Sequence, residues 1–189
     1  SRNGGESWTN VTSNIPGMPE YGAVRNIEAS AHDGGTAYLT VDAHEMRNFD
    51  PHVYNTTHYG RSWKKITAGI EESPLSYARM IREDPFNPDL LYLGTENALY
   101  FSLDQGSTWQ SLMTNLPSSP MYWMDIPEHF NDLVVSTYGR GIWILDDLTP
   151  LQQFTDDVAS SSLHLFDPKD AFRLRPISSV MQFFKEPSF

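Results

Sequence analysis

The sequence has 189 residues, is 39% apolar and 13% aromatic, and carries a net charge of −11. This acidic balance, without any basic run, argues against nucleic acid and anionic membranes as partners. The absence of cysteine excludes disulfides and thiolate zinc sites. No apolar run approaches the roughly 20 residues that cross a bilayer, so no direct membrane insertion is expected.

The chain opens with an octet, residues 1–8, that reads Ser/Thr, any residue, Asp/Asn/His, any residue, Gly, any residue, Ser/Thr, Trp. The octet recurs at residues 56–63 and 102–109. Its tryptophans are 55 residues apart (63 minus 8) and then 46 apart (109 minus 63). Three copies at such spacing indicate an internal structural repeat.

Segments between the octets are rich in β-branched and aromatic residues and are bounded by turn residues, which predicts strands. Residues 36–41 are the first such segment, and residues 90–95 recur at 132–137, an offset of 42 (132 minus 90). One full repeat comprises strands at 76–84, 90–96, 98–103 and 108–113. Four short antiparallel strands per repeat are typical of a β-propeller blade. The predicted fold class is therefore all-β, with about three four-stranded blades over residues 1–159.

Beyond the third octet the pattern weakens. A degenerate octet at 142–147 keeps Asp146 but lacks the Gly and the Trp, and residues 147–157 predict a short helical turn. Residues 160–189 predict a closing strand and an extension towards a further domain. Because an arc of three blades leaves apolar sheet faces in water, we expect further blades of the same protein, or another protein chain, to complete the ring.

We interpret the octets as structural turns. Gly60 and Gly106 supply positive φ angles, the Asp104 carboxylate accepts hydrogen bonds from turn N–H groups, and Trp109 is buried between sheets. A catalytic or metal-binding Asp104 is the alternative, but the repeat already explains the residue. The predicted structural set is Gly5, Ser7, Trp8, Gly60, Ser62, Trp63, Asp104, Gly106, Thr108, Trp109 and Asp146.

A ligand site is expected on the face opposite the octets, where loops between strands two and three meet the connections between blades. The ligand candidates there are His44, Arg47, Glu96, Asn97, Tyr138 and Arg140. Asp42, Glu45 and Glu72 are candidate acids or bases, since a glycosidase needs two carboxylates roughly 5–10 Å apart. The alternative is a solvated rim with local ion pairs.

His44 and His52 match no metal-ligand spacing, so we expect no metal and no cofactor. The Tyr122-Trp123 pair is expected to pack between blades.

These motifs resemble the Asp-box (BNR-repeat) β-propellers, which include sialidases, xyloglucan-cleaving hydrolases, the sortilin ligand-binding domain and a photosystem II assembly factor. The nearest resemblance is to exported bacterial proteins described as sortilin-like or glycosyl hydrolase-like, and it covers residues 1–176. It is carried by residues 37–42, 81–85, 91–96 and 132–147. The resemblance implies a larger ring of roughly six to ten blades and a periplasmic or secreted location. The cysteine-rich module that follows the sortilin propeller has no counterpart here.

Two functions follow as hypotheses. The first is a non-catalytic binding or scaffolding propeller of an exported protein, such as a subunit of a cell-envelope complex, because no catalytic constellation is recognisable. The second is a glycoside hydrolase of the xyloglucanase or sialidase type that acts on polysaccharide, with its other carboxylate on a blade outside these residues.

Overall fold

The computed structural model describes Ser1 and residues 3–169, with only the backbone of Asp156. Within these residues the chain forms three antiparallel sheets. The first sheet contains β1 (Ala23–Ala29), β2 (Ala37–Ala43), β3 (Asn48–Thr56) and β4 (Lys64–Lys65). The second contains β5 (Ala78–Glu83), β6 (Leu91–Thr95), β7 (Leu99–Ser102) and β8 (Gln110–Ser111). The third contains β9 (Met121–Asp125), β10 (Leu133–Thr137) and β11 (Ile142–Leu145).

Each sheet is a simple meander in which consecutive strands pair, as in a propeller blade. The all-β prediction is confirmed, and the second sheet has all four predicted strands, with the outermost reduced to two residues. The third sheet has three strands within the described residues. A short helix α1 (Thr149–Gln152) follows it where a helical turn was expected, and α2 (Asp156–Ser160) comes next.

The predicted closing strand falls mostly outside the described residues. Residues 161–169 form no strand, and residues 170–189 are not described, so the division of the chain at residue 160 stays a prediction. At the other end, a 3-10 turn at Thr12–Asn14 precedes β1, and no strand forms among the described residues before Ala23.

Apolar side chains fill the spaces between the sheets. Tyr38 and Val53 of the first sheet meet Ile81 and Leu93 of the second in one buried cluster. A second cluster lies between the second and third sheets and includes Met80, Tyr92, Leu99, Met121, Met124 and Leu133. Because the second sheet is covered on both faces, its strands are apolar at consecutive positions, as Leu90–Leu93 show by being fully buried.

The meander divides the loops between two faces. We call one the loop face; it carries the strand-two to strand-three turns at His44–Met46, 96–98 and 138–141, and the connections 66–77 and 112–120. The octets lie on the opposite face, the octet face, with the loops between strands one and two. None of the helices among the described residues is long and apolar enough to cross a membrane.

Close packing between the second and third sheets makes Gly94 a sensitive position. A Cβ atom there would lie 2.7 Å from Met121 Cβ and 3.2 Å from the Met121 carbonyl oxygen. We expect Gly94→Ala to lower the free energy of unfolding by about 1–3 kcal/mol through overpacking. Gly34→Ala is the matched control, since a Cβ there meets nothing within 4 Å. Urea titrations that gave equal stabilities for the two variants would contradict this packing.

Candidate functional site

The third octet forms a closed hydrogen-bonded turn. Asp104 Oδ1 accepts the Thr108 N–H at 2.8 Å and Asp104 Oδ2 accepts the Thr108 hydroxyl at 2.7 Å. The Ser102 hydroxyl donates to Asp104 Oδ1 at 2.7 Å and accepts the Gly106 N–H at 2.8 Å. Partial burial alone would raise the pKa of Asp104, but these donors hold it below its ordinary value. With every carboxylate oxygen engaged, Asp104 has the contacts of a turn residue.

The other octets keep parts of this turn. Thr56 Oγ1 accepts the Gly60 N–H at 3.1 Å, although His58 occupies the place of the Asp. In the first octet Asn3 Oδ1 accepts the Ser7 N–H at 3.0 Å, but Trp8 is 80% exposed. In the degenerate octet Asp146 makes no hydrogen bond within the described residues. The hydrogen-bonded turn is therefore complete in the third octet, partial in the first and second, and absent in the degenerate octet.

The first strand of each sheet (β1, β5 and β9) carries a β-bulge at the same place, near its loop-face end. The register shifts between Val24 and Asn26, between Ala78 and Met80, and between Met121 and Trp123. The extra residues are Arg25, Arg79 and Tyr122. A bulge bends a strand and redirects one side chain. Here each redirected side chain meets a residue at the end of strand two of its own sheet.

In the first sheet this pair is Arg25 and Asp42. The Asp42 side chain is 1% exposed, and Arg25 Nε and Nη2 each lie 3.0 Å from Asp42 Oδ2. His44 donates its N–H to Asp42 Oδ1 at 3.0 Å and places Nδ1 2.6 Å from it. Burial would raise the pKa of Asp42, but the hydrogen bonds from His44 and Arg25 lower it below its ordinary value. A carboxyl with a lowered pKa is a poor general acid.

Aromatic rings connect this cluster to the other sheets. The His44 ring stacks on the Tyr77 ring with centroids 4.7 Å apart. The Arg79 guanidinium lies 5.4 Å from the Tyr77 ring and 5.9 Å from the Tyr122 ring, and it forms an ion pair with Glu96. Tyr122 in turn lies 6.3 Å from Tyr138. We call this row across three sheets the loop-face row: Arg25, Asp42, His44, Tyr77, Arg79, Glu96, Tyr122 and Tyr138.

The structure separates the remaining candidates. Glu45 borders a shallow cleft with Asp42 and His44, whereas Arg47 and Glu72 border a second cleft. Asn97 sits in the turn beside Glu96, where its side-chain oxygen accepts the Thr95 hydroxyl at 3.3 Å. The Arg140 side chain is exposed and has no hydrogen bond or ion pair within the described residues. Asp42, Glu45 and Glu72 therefore do not form one cluster.

Sequence reasoning missed Arg25, Tyr77 and Arg79, which the structure places in the row. Bulges bring Arg25 and Arg79 there, and a bulge leaves no mark in composition or periodicity. Tyr77 lies just before β5 and joins the row by stacking on His44. The expected packing of Tyr122 and Trp123 between sheets is realised only in part: their rings lie 5.9 and 5.1 Å from the guanidinium groups of Arg79 and Arg82 of the second sheet, but they remain 60% and 55% exposed. Among the described residues no group of three or more His, Asp or Glu side chains is placed to hold a metal.

No protein-family model matches the sequence, and no curated protein matches it. Solved structures do match in fold. The GH74 enzyme of Niastella koreensis aligns with a TM-score of 0.50 at 15% identity, over 66% of this chain and 21% of that one. The GH74 xyloglucanase of Xanthomonas campestris aligns at 0.48 and 14% identity, over 66% and 22% of the two chains. YCF48 bound to D1 peptide aligns at 0.46 and 16% identity, over 66% and 37%.

These likenesses show the fold alone. The chain spans about a fifth of the GH74 enzymes and about a third of YCF48. The chain is thus similar in fold to a partial region of larger proteins.

The lowered pKa of Asp42 makes a prediction about acid stability. A carboxyl whose pKa is lower in the folded than in the unfolded chain stabilises the fold above its ordinary value of 3.8, and this stabilisation is lost as the pH falls below it. We therefore expect Asp42→Asn to be less stable than the wild type at pH 7, with a smaller loss of stability between about pH 5 and pH 2.

Chemical denaturation at a series of pH values checks this expectation. Asp157→Asn is the control, because the Asp157 side chain is exposed and has no ion pair within the described residues. Parallel pH profiles for the wild type and Asp42→Asn would contradict the assigned role of the Arg25 and His44 contacts.

Proposed function

We propose that this chain is part of a non-catalytic binding β-propeller of an exported protein, and that the loop face of the third sheet contacts the partner. The observation that carries the proposal is the contrast between two parts of the loop-face row. Its carboxylates are engaged by arginine or histidine, whereas its two terminal tyrosines project into solvent. Such a row supports contact with a partner more than proton transfer.

The two carboxylates of the loop-face row are already paired and are not available for hydrolysis. Asp42 is buried and accepts bonds from Arg25 and His44, and Glu96 is paired with Arg79. Glycoside hydrolysis requires one carboxyl with a raised pKa and a second carboxylate across the scissile bond. The lowered pKa of Asp42 is opposite to the first requirement.

The exposed end of the row has the residue types of a protein-binding surface. Tyr122 and Tyr138 are 60% and 74% exposed, and Arg140 follows in the same turn. Tyrosine and arginine are enriched among the residues that dominate binding energy, because each offers a large contact area and polar groups. An arginine without a partner is also suited to bind a carboxylate.

The turn that carries these side chains is held by hydrogen bonds to backbone carbonyls. The Thr137 hydroxyl donates to the Gly141 carbonyl at 2.7 Å, and the Trp143 indole N–H donates to the Arg140 carbonyl at 2.9 Å. The Tyr138 N–H donates to the Pro120 carbonyl at 3.0 Å, which attaches the turn to the preceding connection. A preorganised turn lowers the entropy that binding must otherwise remove.

A hydrolase is the second candidate, and one observation favours it. The second cleft is lined by Arg47, Asp50, Glu72 and Ser76. The carboxylates of Asp50 and Glu72 make no hydrogen bond or ion pair within the described residues, so both are open to a ligand. In this alternative one of them acts with a carboxylate from another blade on a polysaccharide.

The test compares the two candidates on the protein that contains this chain. The probes are a displayed library of random peptides and soluble xyloglucan. We expect selected peptides to bind, and Tyr138→Ala or Arg140→Ala to weaken a selected peptide by about tenfold or more in fluorescence polarisation. Phe130→Ala and Arg61→Ala are matched controls, since both residues are exposed on the octet face, and should leave this affinity unchanged.

Release of reducing ends from xyloglucan, abolished by Asp50→Asn or Glu72→Gln, would replace the binding proposal with the hydrolase. Peptide binding that is unchanged by Tyr138→Ala and Arg140→Ala but lost in Phe130→Ala or Arg61→Ala would show that the binding surface lies on the octet face, which would contradict the proposal.

A further inference from the structure

The outer edge of the third sheet differs from the outer edges of the other two. The first and second sheets end in strands of two polar residues, β4 (Lys64–Lys65) and β8 (Gln110–Ser111). Within the described residues the third sheet ends in β11 (Ile142–Leu145), which is longer and wholly apolar. Proteins commonly protect an outer edge by keeping it short, by placing lysine or proline on it, or by a bulge. β11 has none of these features, since its register with β10 is continuous.

The backbone groups that face this open edge follow from the pairing of β10 with β11. The Thr137 N–H donates to the Gly141 carbonyl at 3.0 Å, and the pairs that exchange hydrogen bonds alternate along the ladder from there. Trp143 therefore turns its N–H and C=O groups towards β10, whereas Ile142 and Ile144 turn theirs away from it. Two donors and two acceptors thus face outwards along β11.

The second sheet shows how an added strand uses such an edge. Leu99 and Ile142 are the first residues of the third strands of their sheets. The Leu99 carbonyl accepts the Leu112 N–H at 2.8 Å, which extends the antiparallel β7–β8 pairing by one residue. The equivalent carbonyl of Ile142 has no strand beside it within the described residues. An antiparallel strand at this edge would find the same acceptor in the same direction.

An apolar cleft runs beside the edge, between the second and third sheets. Val135 lies opposite Trp143 on β10, and Val135 belongs to the buried cluster between these sheets. Because side chains alternate along a strand, a strand beside β11 places every second side chain in this cleft. The apolar lining of the cleft consists of Leu99, Leu112, Leu116, Val135, Trp143 and Leu145.

The loop-face end of the same edge carries the exposed turn of the proposed binding surface. Tyr138 and Arg140 lie immediately before β11, and the Arg140 side chain is exposed and unpaired within the described residues. β11 runs from the loop face to the octet face, so an antiparallel strand beside it runs in the opposite direction. Its C-terminal end therefore arrives at Arg140, where an acidic side chain is favoured.

We propose that the partner of the loop face binds by strand addition. An extended segment of the partner protein pairs antiparallel with β11, places two apolar side chains in the cleft and reaches Arg140 with an acidic side chain at its C-terminal end. This inference rests on the proposed function and adds the form of the partner to it. The main-chain hydrogen bonds to Ile142 and Ile144 supply affinity, while the cleft and Arg140 select the sequence.

Charge favours a partner over the chain's own C-terminal residues. Lys169 Nζ lies 3.2 Å from Asp132 Oδ1, at the octet-face end of the third sheet. The sequence that follows Lys169 is basic at Arg173 and Arg175. As the occupant of the edge it would carry these two guanidinium groups towards Arg140, and like charges repel.

The shape of the edge favours a single strand over a second copy of the chain. The second sheet has four strands and the third has three within the described residues, so β8 extends beyond β11. Leu112, which follows β8, and Trp143 of β11 line the same cleft. A second copy that paired through its own β11 would bring its second sheet into the space that β8 already occupies. A lone extended segment meets no such overlap.

The test uses a synthetic peptide on the protein that contains this chain. The probe is the capped hexapeptide Leu-Thr-Val-Thr-Gly-Asp, which places leucine and valine in the cleft and aspartate at Arg140. We expect its addition to slow hydrogen exchange at the Ile142 and Ile144 amides by about tenfold or more. The Trp143 and Leu145 amides are internal controls, because they already pair with β10.

Backbone methylation of the peptide tests the pairing directly. A methyl group on the fourth nitrogen removes the N–H that donates to the Ile142 carbonyl, and should weaken binding by about tenfold or more in fluorescence polarisation. A methyl group on the third nitrogen is the matched control, since that N–H points away from β11, and should change the affinity by less than about threefold. Replacing the aspartate by asparagine should weaken binding to the wild type but not to Arg140→Gln.

Equal effects of the two methyl groups, or unchanged exchange at Ile142 and Ile144, would overturn strand addition. In that case library peptides that depend on Tyr138 and Arg140 would leave the proposed function standing, whereas the absence of any such peptide would contradict both. Slow exchange at the two amides before the peptide is added would also overturn strand addition by a partner. Slowing that depends on protein concentration would identify a second copy as the occupant, and slowing that is lost on removal of residues 170–189 would identify the chain's own C-terminus.

Discussion

The contact on which the stack of sheets depends is the insertion of Trp109 into the preceding sheet's edge. The indole N–H bonds the Ile66 carbonyl at 2.9 Å and the backbone N–H bonds the Ala68 carbonyl at 2.8 Å. One residue thereby joins its own octet, the fourth strand of the first sheet and the buried cluster between the sheets. Gly69, with a φ of +91°, allows this approach because a Cβ would lie 2.3 Å from the Trp109 carbonyl oxygen.

This junction also determines where function is possible. Because the octets hold the sheets together on one face, their polar side chains are engaged in turns. The loop face carries no octet turn, and the bulges at Arg25, Arg79 and Tyr122 redirect side chains towards it. The same structural repeat thus gives one face with stabilising turns and one face whose residues differ from sheet to sheet. On the second face the bulge residue meets Asp42 in the first sheet, Glu96 in the second and Tyr138 in the third.

The repeat made most of the fold predictable from sequence. Octet spacing and the recurrence of residues 90–95 at 132–137 are periodic signals, so strand order and the all-β class follow from them. The bulge residues were not predictable, since a shift of one residue in register depends on pairing between strands and not on the residue type. The pairing of Asp42 with Arg25 was equally hidden, because 17 residues separate the two in sequence. Candidate residues in turns could be named from the sequence, whereas those in bulges could not.

The electrostatics of the loop face follow from these pairings. The chain has a net charge of −11, but Asp42 and Glu96 are neutralised locally by Arg25 and Arg79. The guanidinium of Arg140 has no such partner within the described residues and lies in the turn that exposes Tyr138. Around that turn the surface therefore offers a positive charge and an aromatic ring on an otherwise acidic domain. The binding surface proposed for the third sheet rests on this arrangement, because an unpaired guanidinium beside an exposed ring suits a carboxylate group of a partner.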